Sequence, residues 1–305
     1  MKKKTVYLRD IVDYLESDLV AVYGEVGNVY VDNISDEVNI NSKSLDWINS
    51  TKQSKQRIAE DSRAVVILAD RDVVYTNALR AQKKVLLIVE NPRKVLSKII
   101  SAFYIENKVS FIHPSAIIDA GAKIDPTTYI EAGCVIGKAV IGKYTYIKAN
   151  VVIEDDVIIG DYCVIQAGGV IGTDGLGCNR ESDGMLVKFP HLGGVVIGNY
   201  VEIGANCQIA RGALSDTIIS DGCKINGLCF IAHNCHIGKN VWITGDTMLA
   251  GSVHVEDNVT IFSKVIVREQ RHIGKNATIG MGAVVTKDVP AGETWVGNPA
   301  RKLEK

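Results

Sequence analysis

A chain of 305 residues with 34 Lys and Arg against 35 Asp and Glu carries a formal net charge of -1, so it lacks the excess of positive charge that a nucleic-acid surface requires. Its 47% hydrophobic content is that of an ordinary soluble protein of one large or two moderate domains. The basic start, Met1-Lys2-Lys3-Lys4, has no apolar stretch behind it as a secretion signal would, and no apolar run approaches the roughly 18 residues of a membrane span, which implies a cytoplasmic protein.

Residues 5–17 read as a short helix, 64–69 (Ala-Val-Val-Ile-Leu-Ala) and 85–89 (Val-Leu-Leu-Ile-Val) as buried strands, and 92–105 as a helix with Pro92 in its first turn. Together they predict a small α/β domain over residues 1–108, a normal domain size. Trp47, in Ser44-Leu45-Asp46-Trp47-Ile48-Asn49-Ser50, is its most exposed-looking aromatic; packing on its own domain and a binding role both suit it.

From His113-Pro114-Ser115 onward the pattern changes. Aliphatic residues recur at every sixth position, first at Ile118, Ile124, Ile130 and Ile136, then one residue short at Ile141 and on through Ile147, Ile153, Ile159, Ile165 and Ile171. Residues 172–194 break the phase; they are Gly-rich and aperiodic, which marks a loop thrown out of a regular body. Ile197, Ile203 and Ile209 resume the period, a short irregular piece at 211–216 resets it, and twelve positions follow without a miss from Ile219 to Val285. A helix repeats at 3.6 and a flat strand at 2, so a period of six means a solenoid, the hexapeptide β-helix. Three hexads to a turn give about eight turns and a prism on the order of 40 Å tall at ~4.8 Å per layer. Its ends need caps: the N-terminal domain can serve at one end, and residues 291–305, with Gly297-Asn298-Pro299-Ala300, at the other.

Six of the seven cysteines (134, 163, 207, 223, 229 and 235) fall two residues before a repeat aliphatic, on the same face of the strand. They read as small buried side chains kept as thiols in a reducing compartment, with Cys178 unassigned. A ruler of eighteen also places His233 one turn before Gly251, and sets His236, His254 and His272 in a vertical ladder on an outward face. Stacked imidazoles on a solvated or subunit-facing edge are the ordinary reading of such a ladder; a metal site is the other, and none is assigned.

The hexads, Gly172-Thr173-Asp174-Gly175-Leu176-Gly177, Lys188-Phe189-Pro190, Arg211-Gly212-Ala213-Leu214-Ser215-Asp216 and Ile231-Ala232-His233-Asn234 together resemble the left-handed β-helix acyltransferases, in particular the UDP-3-O-acylglucosamine N-acyltransferases of lipid A synthesis. The resemblance covers nearly the whole length. It implies a mainly β fold, a left-handed parallel β-helix over residues 109–290 with a small N-terminal α/β domain that binds the nucleotide sugar. It also implies a homotrimer with active sites between subunits, a thioester donor and an amino-sugar nucleotide acceptor, with no permanently bound cofactor. His233 matches the family's catalytic base and Gly251 its oxyanion donor, while Asn226 stands where the family has a carboxylate that orients the base. Gln270 aligns with a second active-site histidine. Asp174 falls in the substrate-binding loop, and Trp47 with Asn49 matches the place where the base of the nucleotide stacks, although Gln53 replaces a second aromatic. Residues from Val285 to Ala300, with Gly297, Asn298 and Pro299, are similar to the ending of coenzyme-A-dependent hexapeptide acetyltransferases, so acyl-CoA is a donor as well suited as acyl carrier protein. A short-chain N-acetyltransferase acting on a dideoxyamino-sugar nucleotide of O-antigen, and a non-catalytic sugar-nucleotide-binding β-helix, are the two other expectations.

Overall fold

The computed structural model describes residues 4–34, 39–106 and 108–304; most of the basic start and the last residue of the expected terminal cap lie outside them. The chain divides into two compact units, residues 1–107 and 108–305.

The first unit is a five-stranded sheet in the order Leu19–Tyr23, Val85–Val89, Val66–Ala69, Ser44–Trp47, Asn33–Ile34, parallel except for its first pair. Strands Val66–Ala69 and Val85–Val89 are apolar throughout because both faces are covered. Val85, Leu87 and Val89 join one core with Leu8, Ile11 and Val95, while Leu86 and Ile88 join another with Ala59 and Leu79. Helix Pro92–Ile99 starts as expected, with the Asn91 side chain accepting from the Lys94 N–H at 3.0 Å, and runs on as a wider π-turn over Ile100–Tyr104. The expected helix at 5–17 is shorter: only Leu8–Tyr14 is helical, and Val6–Tyr7 pairs as a strand with Tyr30–Val31. A β-branched and an aromatic residue suit that strand, and a partner far along the sequence overrides the local helical pattern. Trp47 ends a buried strand and lies half-buried against the first core, so it does pack on its own domain.

The second unit is a parallel β-helix. Each hexad supplies one short strand, and the strands stack into three sheets of eight, eleven and nine. Ile231 pairs with Leu249, Ile237 with Val255 and Ile243 with Ile261, one turn of eighteen apart, and each of the twelve aliphatics from Ile219 to Val285 is at most 2% exposed. The one-residue slip is absorbed in a single layer, where Ile124 pairs with Ile141. The 172–194 insertion leaves the ladder intact, since Ile159 pairs with Ile197. Corners between strands need a left-handed residue, supplied at 150, 206, 234, 240, 258 and 276 by Asn, the side chain that best tolerates it after glycine. The six register cysteines are buried among the aliphatics, all are free thiols, and burial pushes Cys223 up to about 11 and Cys235 to about 12, which keeps them unreactive. Residues 172–194 are not structureless: Cys178–Arg180 and Leu186–Lys188 form an antiparallel hairpin. Three residues a side are too few to show an alternation in the sequence.

Candidate active site

Because Phe230–Ile231 pairs in register with Met248–Leu249, the corner after the first strand stacks on the corner after the second. Ser252 N–H donates to the His233 carbonyl at 2.9 Å and Gln270 N–H to the Gly251 carbonyl at 2.9 Å, so His233 and Gly251 form one column, with Glu269 in register in the third layer and Gln270 beside it. A Cβ on Gly251 would lie 2.7 Å from both Cε1 and Nε2 of His233. The half-buried imidazole therefore rests on the Gly251 backbone in space that only glycine leaves open. Among the described residues the Gly251 N–H makes no hydrogen bond.

The proton on His233 is placed by its neighbour. Asn234 Oδ1 accepts from the Ala213 N–H at 3.0 Å, and its Nδ2 donates to the carbonyl and hydroxyl of Ser215, both at 3.0 Å, so the amide has one orientation. His233 Nδ1 lies 3.1 Å from that same Oδ1, which can only accept; Nδ1 must carry the hydrogen, and Nε2, beside Gly251, keeps its lone pair. Within the chain the side chain that meets Nδ1 is thus Asn234, whereas the expected Asn226 lies elsewhere. Seven residues before His233 is the preceding corner of the prism, after strand Lys224–Ile225 of a different sheet. There Asn226 Oδ1 accepts from the Gly227 N–H at 2.7 Å, and the residue lines an open groove of about 450 Å³ with Gln166, Glu202, Trp242 and Thr244.

Residues from the 172–194 segment close on the opposite edge of the ring. The buried His191 packs edge-on against His233, ring centroids 5.3 Å apart at 73°, and a Cβ on Gly175 would come within 2.6 Å of His191 Nε2 and 3.1 Å of His233 Cδ2. His191 Nε2 is buried without a hydrogen-bond partner among the described residues, an arrangement that costs about 1–3 kcal/mol when an acceptor is left so. Asp174, next to Gly175, pairs with Lys188, whose hydrogen bond holds the Asp174 carboxyl below the usual carboxylate range. The foot of the segment is tied down by Arg211, whose Nε donates to the Gly172 carbonyl at 2.9 Å. Neither His191 nor Asn234 stood out in the sequence: His191 sits at the end of an aperiodic stretch, and Asn234 looks like one more corner asparagine.

The expected donor-arm positions lie apart from this column. Gly297 accepts from the Val284 N–H at 3.0 Å, on a strand two layers beyond Met248–Leu249 in the same sheet, and the Asn298–Pro299 peptide is cis. Trp47 and Asn49 belong to the first unit, where Asn49 Oδ1 accepts from the Thr51 N–H and hydroxyl at 3.2 Å. The histidine ladder is a stack, with ring centroids 5.9 Å apart for His236 and His254 and 5.1 Å for His254 and His272, and His272 Nε2 lies 3.1 Å from Glu256. Among the described residues no group of three His, Cys, Asp or Glu is placed to hold a metal.

Two family models match parts of the solenoid: the bacterial transferase hexapeptide model (six repeats) over residues 138–173 and the GMPPB C-terminal domain model over residues 193–271. A UDP-3-O-acylglucosamine N-acyltransferase of Coxiella burnetii is 34% identical over 215 residues, covering 64% of this chain and 61% of its own length, so the chain spans about three fifths of that relative. UDP-3-O-acylglucosamine N-acyltransferase 1 of Francisella tularensis subsp. holarctica is 39% identical over 272 residues, 82% of this chain and 78% of that protein. Among solved structures, the UDP-N-acetylglucosamine O-acyltransferase of Moraxella catarrhalis superposes with a TM-score of 0.58 at 26% identity, over 63% of this chain and 73% of the other. The period of six, the three sheets, the column of His233 and Gly251 and these likenesses agree: the chain is a left-handed parallel β-helix with a small N-terminal α/β domain and belongs to the UDP-3-O-acylglucosamine N-acyltransferase family of hexapeptide-repeat proteins.

Proposed function

We propose that this chain moves an acyl group from a thioester to the amine of a nucleotide-linked amino sugar; its relatives are named as N-acyltransferases of UDP-3-O-acylglucosamine. The observation that carries this reading is the inequality of the two His233 nitrogens, Nδ1 occupied by Asn234 and Nε2 bare beside Gly251. A bare imidazole nitrogen takes the proton of the amine as the amine lone pair attacks the thioester carbonyl. The Gly251 N–H is free to donate to the carbonyl oxygen as it becomes negative. Collapse of the tetrahedral intermediate breaks the C–S bond, and the imidazolium returns its proton to the departing thiolate, leaving an amide, a thiol and a neutral histidine. Asp174 and Gln270 border this column and are assigned to the sugar; Trp47 and Asn49 are assigned to the nucleotide base, and Gly297, Asn298 and Pro299 to the arm of the donor. The donor is acyl-CoA or acyl carrier protein, the assembly a homotrimer and the compartment the cytoplasm. Among the described residues no helix is long and apolar enough to cross a membrane, and buried free thiols suit a reducing compartment.

Release of free thiol from acyl-CoA and from acyl carrier protein, measured with a panel of nucleotide-linked amino sugars and followed by mass spectrometry of the product, tests the reaction. His233→Ala is expected to lower the rate by about 10² to 10⁴-fold with the assembly unchanged. Retention of most of the rate sinks the assignment. Nucleotide binding without turnover on any donor means a non-catalytic sugar-nucleotide-binding β-helix instead.

A further inference from the structure

The edge of His233 away from Asn234 is faced by a second imidazole that the reaction as written does not use. His191 is only 7% exposed, and its Nδ1 lies 3.0 Å from the Phe189 carbonyl. A carbonyl accepts and never donates, so Nδ1 carries the hydrogen and the neutral ring has its lone pair on Nε2. That Nε2 is the buried, unpartnered atom, and it borders, with the Cδ2 edge of His233, the same small space that a side chain on Gly175 would occupy. A phenylalanine or leucine would fill this space without burying an acceptor. The ring of His233 is thus bounded on three sides: Asn234 at Nδ1, Gly251 at Cε1 and Nε2, and His191 with Gly175 at Cδ2.

We propose that His191 is a positioning residue for the transfer. Its ring keeps the His233 imidazole in the slot above Gly251, and its lone pair is the electron-rich neighbour of the imidazolium that forms when the amine gives up its proton. Asn234 is neutral, so no carboxylate supplies that stabilisation from the Nδ1 side. The inference rests on His233 being the base.

Two variants test it. His191→Phe keeps a ring of similar size and removes both nitrogens; His191→Gln keeps an acceptor oxygen. His191→Phe is expected to lower kcat by about 10- to 10²-fold with KM for both substrates unchanged, and His191→Gln to recover most of the loss. Ring ¹⁵N and ¹H spectra of His233 supply a readout that needs no turnover: the single sharp set of ring signals of the wild type broadens or splits in His191→Phe as the ring gains room to leave the slot above Gly251, while Asn234 keeps the proton on Nδ1. An unchanged His233 spectrum together with an unchanged kcat overturns the proposal, and so does a defect confined to KM, which marks a substrate contact. Should wild-type protein transfer no acyl group at all, the assignment of His233 as base fails, and the His233 spectrum alone decides whether His191 holds its ring in one position.

Discussion

At His233 a neutral amide does work that a carboxylate does in many acid–base sites. Asn234 can do so because Ala213 and Ser215 use up its other options, so that one oxygen is left facing Nδ1 with a fixed sign. Gly251 completes the site by lacking a side chain, and its backbone is one that any residue adopts, so the reason for glycine here is space and not conformation. Gly251→Ala should therefore fold normally, with a melting temperature close to that of the wild type, but push the imidazole off the column and cost about 10²-fold in kcat. A melt and a rate on the same sample check this, and an active Gly251→Ala enzyme would mean that the ring does not rest there during catalysis. His233 and Gly251 were legible in the sequence because both obey the ruler of eighteen. His191 and Gly175 were not, because they reach the site through an insertion whose path no period describes; Asn226, seven residues before His233, falls at the preceding corner of the prism.

Among the elements, the hexad strands were readable one by one, since each buries a single aliphatic and the next layer repeats it. The short hairpin in the insertion and the strand at Val6–Tyr7 were not; both are held by pairing with partners that local propensity does not specify. The outward face of the eight-stranded sheet carries the histidine ladder, and there the stacking has an energetic consequence. Burial of part of the His254 ring, followed by the proximity of His272 and His236, lowers its pKa from 6.5, against a smaller opposing effect of Glu256. A histidine whose folded pKa lies below its unfolded value binds fewer protons when folded, so its contribution to stability is complete above the unfolded pKa and is lost as pH falls through the folded one. The melting temperature of the wild type should accordingly fall more steeply than that of His254→Gln between about pH 7 and about pH 5. Parallel curves for the two proteins would show that the ladder stays solvated enough to titrate as three independent rings.

On the scale of the whole molecule the two units have separate cores: the aliphatic column of the solenoid shares no residue with the two layers around the N-terminal sheet. Each core is contiguous within its own stretch of chain, so each unit carries what it needs to fold. The groups proposed to act on the proton and the oxyanion, His233 and Gly251, and those proposed to position the ring, Asn234 and His191, all lie within residues 108–305. The N-terminal unit, if it holds the nucleotide through Trp47 and Asn49, contributes binding that is the same in the ground and transition states. Loss of such uniform binding raises KM and leaves kcat in place. A chain of residues 108–305 should thus melt cooperatively as a β protein and transfer acyl groups to a saturating amino-sugar nucleotide at a kcat near that of the full chain, with KM raised by about 10-fold or more; burial and stacking of one aromatic are worth roughly the 1.4 kcal/mol this represents. A truncated protein that folds but has lost kcat would place part of the catalytic machinery in the first unit, and one with unchanged KM would remove Trp47 and Asn49 from the nucleotide site.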